Sequence, residues 1–168
     1  MSSTGAAPQD HLARDRLARD HLARDHLECN CLAVRQAARC VTQLYDRHLA
    51  AVGLRAGQFG ILARLRRHGA MAIGDLAAEL VIDRTTLGRN LRPLKRDGLI
   101  TITPAREDRR IKELRLTPAG TDRLRMAGPA WAAAQAEFES GFGRKRAAEL
   151  RSLLHMLVGI GAAAVDEP

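Results

Sequence analysis

Residues 83–100 read DRTTLGRNLRPLKRDGLI, and no other stretch narrows the possible folds so far. At about 100° per residue, Thr85, Arg89, Arg92 and Arg96 fall in one narrow sector of a helix and Leu87, Leu91 and Leu94 fall opposite. The stretch therefore predicts a helix over 84–97 with one leucine face for a core and one bare cationic face for a partner. Arg84 and Lys95 add to its charge, and no acid follows Asp83 until Asp97. Asp83 stands where an N-cap belongs and Gly98 where a helix-ending glycine belongs. Pro93 removes one helical hydrogen bond and is expected to kink the third turn.

The flanking segments give this helix a context. AIGDLAAEL predicts a short helix over about 74–80, separated from the longer one by a turn at Val81–Asp83, which makes a helix-turn-helix. LITIT (99–103) and IKELRL (111–116) are β-branched and alternating, so they read as a hairpin whose tip, PAREDRR, is long and charged. Thr117–Pro118 is an N-cap followed by proline at the first helical position. The helix it starts should run to about Gly141 and bend at Pro129. A last helix, about 143–164, carries Leu150, Leu153, Leu154, Leu157 and Val158 on one side. Upstream, a helix from Leu27 to about Ala51 is stopped by Gly53, and another over about 56–68 places Phe59, Leu62 and Leu65 at helical spacing. The fold class expected is mainly α with a small β-hairpin wing.

Charge points to the partner. Residues 84–115 hold ten Lys/Arg against four Asp/Glu, leaving +6 of the chain's +8 in a fifth of its length. A solvated face mixes signs, and this one does not, so a polyanion is indicated. A helix of this width fits the major groove of B-DNA, where arginines pair bidentately with guanine and Thr85 or Thr86 meets a thymine methyl or a phosphate. Arg106, Arg109 and Arg110 at the wing tip are placed for phosphates or a narrow minor groove. The rival is a solvated basic hairpin on a small helical domain. Aromatics are only 3% of the chain, which argues against a base-stacking RNA surface, while 46% hydrophobic residues support a real core. A membrane-surface role conflicts with the leucines behind the cations, which the protein's own core requires. No Ser/His/Asp set, P-loop, GxGxxG or HExxH supports an enzyme, and of six histidines three (His11, His21, His26) lie in a repeat. The polar start MSSTGAAPQD lacks an apolar signal region, and LVGIGAAAV (157–165) is too short to span a bilayer, so a cytoplasmic protein with reduced cysteines is expected.

Residues 10–27, DHLARDRLARDHLARDHL, repeat every five residues. That step rotates Leu12, Leu17, Leu22 and Leu27 around a helix instead of stacking them, so no coiled-coil seam forms. Asp10–Arg14, Asp15–Arg19 and Asp20–Arg24 are spaced i, i+4, which favours an exposed helical extension.

Together AIGDLAAEL, DRTTLGRNLRPLKRDGLI, REDRR and LTPAG resemble the MarR family of bacterial winged-helix regulators, in order and spacing from about 29 to 162. The resemblance implies an obligate homodimer built from the first and last two helices of each subunit. It implies binding to a pseudo-palindromic stretch of double-stranded DNA, usually as a repressor released by a ligand or oxidant. Its divisions would be a repetitive polar extension (1–28), a dimerisation helix (29–55), a winged helix-turn-helix (56–116) and C-terminal dimerisation helices (117–168). Thr85, Thr86 and Arg89 match the family's recognition-helix positions and Arg110 its wing arginine. Asp83 and Asp108 match residues that brace the wing, with Asp83 meeting Arg110 in some members. The alternative for Asp83 is capping alone.

What is sensed stays open between two readings. CLAVRQAAR followed by Tyr45 is similar to the organic-hydroperoxide regulators of the same family, in which a reactive cysteine near the start of the first helix is held by two tyrosines. Here the cysteine would be Cys31 and one tyrosine Tyr45, but Arg35 stands where the second belongs. The other reading takes the thiols as incidental and the effector as a small aromatic or acidic ligand, near Tyr45, His48, His68 and Trp131. Cys29 and Cys40, eleven apart, share a helix face at a distance no disulfide within one chain spans. Cys-x-Cys without a CxxC or a histidine cluster does not indicate zinc, and neither a metal nor a cofactor is expected.

Overall fold

The structure, a computed structural model, describes residues 29–163. The repeat at 10–27, the rest of the extension and the last five residues lie outside that range. The chain divides after Val41 into two compact units. Of the first, Cys29–Val41 is described: it is the beginning of helix α1 (Asn30–Leu49), with residues 30–40 exposed, Leu32 and Val34 included.

In the second unit the end of α1 passes through a 3-10 turn (Ala50–Val52) to Gly53, whose φ of 69° ends the helix in the left-handed region. Helix α2 (Ala56–His68) follows, and Asp46 on α1 accepts a 2.7 Å hydrogen bond from the Ala56 N–H, so one helix caps the next. After it come β1 (Met71–Ala72), α3 (Ile73–Leu80), α4 (Arg84–Arg96), β2 (Ile100–Pro104), β3 (Lys112–Leu116), α5 (Pro118–Phe142) and α6 (Arg144–Ala163). The mainly helical fold with a basic hairpin is as the sequence predicts; the expected start of the first helix, Leu27, lies outside the described residues, and the other helix bounds differ from expectation by at most two residues.

The sheet corrects one expectation. It has three antiparallel strands in the order β1-β3-β2, not a hairpin alone. β1 pairs Met71 with Leu114 and Ala72 with Glu113. Two residues are too few for an alternating pattern to register, and their pairing partner lies more than forty positions away.

One core serves the helices and the sheet. Leu62, Leu65, Leu76, Leu87, Leu94, Ile100 and Leu114 are buried in it, with Leu49 and Leu124 from α1 and α5. The leucine face of α4 is thus filled from within the chain, which fixes the direction of its other face.

Candidate nucleic-acid interface

α4 begins at Asp83, whose Oδ1 accepts the Thr86 N–H at 2.8 Å. The Thr86 hydroxyl donates to Oδ2 of the same carboxylate at 2.6 Å. These two bonds, led by the hydroxyl, hold the Asp83 carboxyl below the usual carboxylate range. Among the described residues no ion pair joins Asp83 to Arg110: the carboxylate caps α4. Thr86 is correspondingly turned back, half-buried, toward the cap, whereas Thr85 beside it is exposed. The helix ends in a Schellman motif, Leu99 N–H to Leu94 C=O at 2.8 Å and Gly98 N–H to Lys95 C=O at 3.1 Å, with Gly98 at φ 67°. Pro93 sits inside the continuous helix.

The turn before α4 holds Val81 at φ 52°, ψ 47°. A β-branched residue there is strained, and Val81 is also 67% exposed, so little packing offsets the cost.

Leu87, Leu91 and Leu94 are 0, 4 and 1% exposed; opposite them Thr85, Arg89 and Arg92 stand in solvent, and Arg84 and Lys95 stand in solvent on the flank. Arg96 is exposed too, but its Nε donates to Asp97 at 2.8 Å. The same hydrogen bond raises the Arg96 pKa and lowers that of Asp97. The cationic face is therefore freest over its first three turns.

At the wing, Asp108 shapes the tip with its own backbone and side chain. Its Oδ1 accepts the Arg110 N–H at 2.8 Å and its carbonyl accepts the Ile111 N–H at 3.0 Å. This is the turn chemistry aspartate supplies, and it leaves the side chains of Arg106, Arg109 and Arg110 exposed.

A joint that the sequence reading missed ties the end of α4 to α5. Thr117 caps α5 by accepting the Gly120 N–H at 2.9 Å, and its hydroxyl donates to the Gly98 carbonyl at 2.7 Å. The Thr117 N–H donates to Leu99 C=O at 3.1 Å. Gly120 is buried, and a Cβ there would collide with the Leu99 carbonyl and lie 2.9 Å from Leu116 Cδ1. The glycine of LTPAG is thus required by close backbone approach. Its position two residues after a helix-starting proline was the available signal.

The effector candidates are not brought together. Tyr45 donates its hydroxyl to Gln135 on α5, and burial raises its pKa, more than Arg151 lowers it. His48 lies 2.7 Å from Glu137, which Arg47 also reaches at 2.9 Å; these contacts, His48 first, lower the Glu137 pKa. His68 is 3.5 Å from Glu79. Trp131 stacks on Phe59 with ring centroids 6.0 Å apart. Cys29 is half-buried, Cys31 and Cys40 are exposed, and all three are free thiols. Instead, a cleft of about 800 Å³ opens where α1 ends and α2 begins, lined among others by Arg47, Arg55, Gln58, Pro93, Arg96 and Asp97. Among the described residues, no helix is long and apolar enough to cross a membrane.

A profile of the MarR family matches residues 54–112, the segment from the start of α2 to the beginning of β3. The chain aligns with the M. tuberculosis transcriptional regulator MosR, solved in complex with DNA, at 35% identity over 81% of this chain and 98% of that one, with a TM-score of 0.72. The chain belongs to the MarR family. This membership accounts for the order helix-turn-helix, wing, LTPAG. The transcriptional repressor CouR, solved on a DNA duplex, is 27% identical over 79% of this chain and 94% of that chain, with a TM-score of 0.71. The transcriptional activatory protein BadR of Rhodopseudomonas palustris is 31% identical over 88 residues, 51% of this chain. The matched stretch spans only half of that curated relative, 50% of its length.

Proposed function

We propose that this MarR-family protein is a cytoplasmic, sequence-specific DNA-binding transcriptional regulator, not an enzyme, which binds a pseudo-palindromic operator as a homodimer. The observation that carries this reading is the α4–wing surface. Arg84, Thr85, Arg89 and Arg92 are held outward by a buried leucine stripe, beside a wing tip with three exposed arginines. In this reading α4 enters the major groove, Arg89 and Thr85 reach base edges, and Arg106, Arg109 and Arg110 follow the backbone or minor groove. MosR and CouR were each solved with DNA, which supports it.

The dimer is supported by α6. Leu153, Leu157, Val158 and Ile160 are 58, 49, 51 and 69% exposed, an apolar face that a second copy would cover. Two-fold symmetry then sets two recognition helices about one DNA turn apart.

The regulator acts as a repressor, by occupying its operator until a small aromatic or acidic ligand releases it. Relatives of both signs exist, since CouR is named a repressor and BadR an activator. The cleft that touches Pro93 and Arg96 on α4 is where such a ligand would bias the reading helix. A second reading has one observation in its favour: Cys31 is an exposed free thiol in the first turn of α1. If it senses organic peroxide, Cys31→Ser abolishes peroxide-triggered release; unchanged release excludes that role.

The test is selection of DNA fragments from the source genome by the reduced protein at near-physiological salt, beside an Arg89→Ala/Arg110→Ala control. Enrichment of a palindrome by the wild type alone is expected. Uniform retention, or enrichment that the control reproduces, would withdraw the assignment. A promoter–reporter carrying the enriched site then reads the sign of regulation.

A further inference from the structure

The winged helix-turn-helix, α2 through β3, is bonded to α5 at two separate points. At the first, the Thr117 hydroxyl donates to the Gly98 carbonyl at 2.7 Å, where α4 ends. At the second, about 9 Å further along α5, Arg123 reaches back to the link between α1 and α2. Its Nη1 donates to the Val52 carbonyl at 3.0 Å, between residues 71 positions apart. The turn there closes on itself, with Gly53 N–H on the Ala50 carbonyl at 3.0 Å and Leu54 N–H on that of Leu49 at 3.2 Å. Arg123 is half-buried, and a Cβ on Gly53 would lie 3.2 Å from its Nη1, so the guanidinium fills the bend of the link. The far side of the link is fixed from α1, where Asp46 accepts the Ala56 N–H at 2.7 Å. Arg123 is also felt at the end of α4. The Asp97 carboxyl is held below the usual carboxylate range first by the Arg96 hydrogen bond and, to a smaller extent, by the charge of Arg123.

Two attachments constrain what one cannot. The joint at Thr117 fixes where α4 meets α5 but leaves rotation about that point. A second directional bond, about 9 Å away along α5, removes the rotation. Burial of Leu49 and Leu124 in the shared core holds the same elements together, but apolar contact is non-directional and tolerates small slides. We propose that Arg123 is a positioning residue: by pinning the α1–α2 link to α5 it fixes the angle of α4 relative to α5 and α6, and thereby the half-site spacing the protein accepts. The inference rests on the homodimeric reading above, in which α6 meets a second copy. One base pair moves a half-site by about 3.4 Å and turns it by about 35°. An unpinned unit therefore loses register with the second half-site while it still binds the first.

The test is fluorescence anisotropy of the full-length protein at about 0.15 M salt. Four duplexes are compared: the selected palindrome, the same duplex with one base pair inserted or removed at its centre, and a single half-site. The wild type should prefer the selected spacing. Arg123→Met keeps an unbranched stem and removes the donor. It should lose roughly tenfold on the selected palindrome, the size of one hydrogen bond from a charged donor, and hardly any on the other three. Arg123→Gln, polar but shorter, should behave in the same way. Arg123→Lys, which keeps a charged donor, should restore most of the preference. A role in stability alone predicts a different pattern, in which affinity for all four duplexes falls together with the melting temperature. That pattern, or an Arg123→Met variant with the wild-type spacing preference, overturns the inference and leaves the regulator reading intact. A wild type indifferent to spacing overturns the inference and the palindrome reading together.

Discussion

α4 and α6 are helices of similar standing in the sequence, each with an apolar side, and the fold treats them oppositely. In α4 the leucines are buried and the cations are bare; in α6 Leu153, Met156, Leu157 and Ile160 are themselves exposed. α4 is complete within one chain and presents a cationic surface complementary to a polyanion. α6 packs on α5 and leaves apolar area that water does not favour. In the proposed reading the difference separates two kinds of partner by their chemistry: DNA for one helix, a second copy for the other.

The comparison can be broken most severely at α6. Leu153→Asp/Leu157→Asp should convert a dimer into a folded monomer by light scattering. It should lower operator affinity by roughly a hundredfold, about 2.7 kcal/mol, because each half-site then binds alone. A monomeric wild type, or a dimer indifferent to these changes, would remove α6 from the interface.

The next effect sharpens the α4 side. Gly120→Ala drives a methyl into the Leu99 carbonyl, and overpacking of this kind should cost about 3 kcal/mol in denaturant unfolding. Operator affinity should fall with it, because the Thr117–Gly98 joint sets the end of the reading helix. Unchanged stability would mean that α5 shifts freely away from α4.

A gain is expected at the turn. Val81→Gly removes the left-handed strain at an exposed site and should stabilise the protein by roughly 1 kcal/mol, a rise of about 2 to 4 °C in Tm. A loss would show that the valine side chain contributes packing that its exposure hides.

The smallest effect lies at the cap. Because hydrogen bonds from Thr86 depress the folded-state pKa of Asp83, its contribution is complete above the ordinary carboxylate pKa. It is lost as pH falls through the lowered value. The Tm difference between wild type and Asp83→Asn should therefore be largest near pH 7 and shrink toward pH 3. Operator affinity also discriminates: if Asp83→Asn binds as the wild type does while Arg110→Ala does not, Asp83 caps α4 and does not brace the wing.

The local features were legible because they are short-range. Asp83 bonding Thr86, Gly98 at the helix end and Thr117 bonding Gly120 are contacts of one to three residues, so residue type and spacing suffice to read them. The face of α4 was legible for the same reason, since helical periodicity alone places Arg89 opposite Leu87 and Leu91. The surroundings of the ligand candidates were not legible, because the sequence carries no such constraint there. Tyr45 and Gln135 lie 90 positions apart, and nothing in either neighbourhood announces their hydrogen bond.

The sequence by itself therefore determined the helices, the caps of α4 and α5, the wing and the sign of the surface, all consequences of period and charge. Tertiary packing alone decided that Met71–Ala72 is a strand on β3, and that Gly120 must lie against Leu99. It also turned Thr86 toward its cap and opened a trough beside Gly88. These depend on how closely distant backbones approach, a quantity that composition and spacing do not encode.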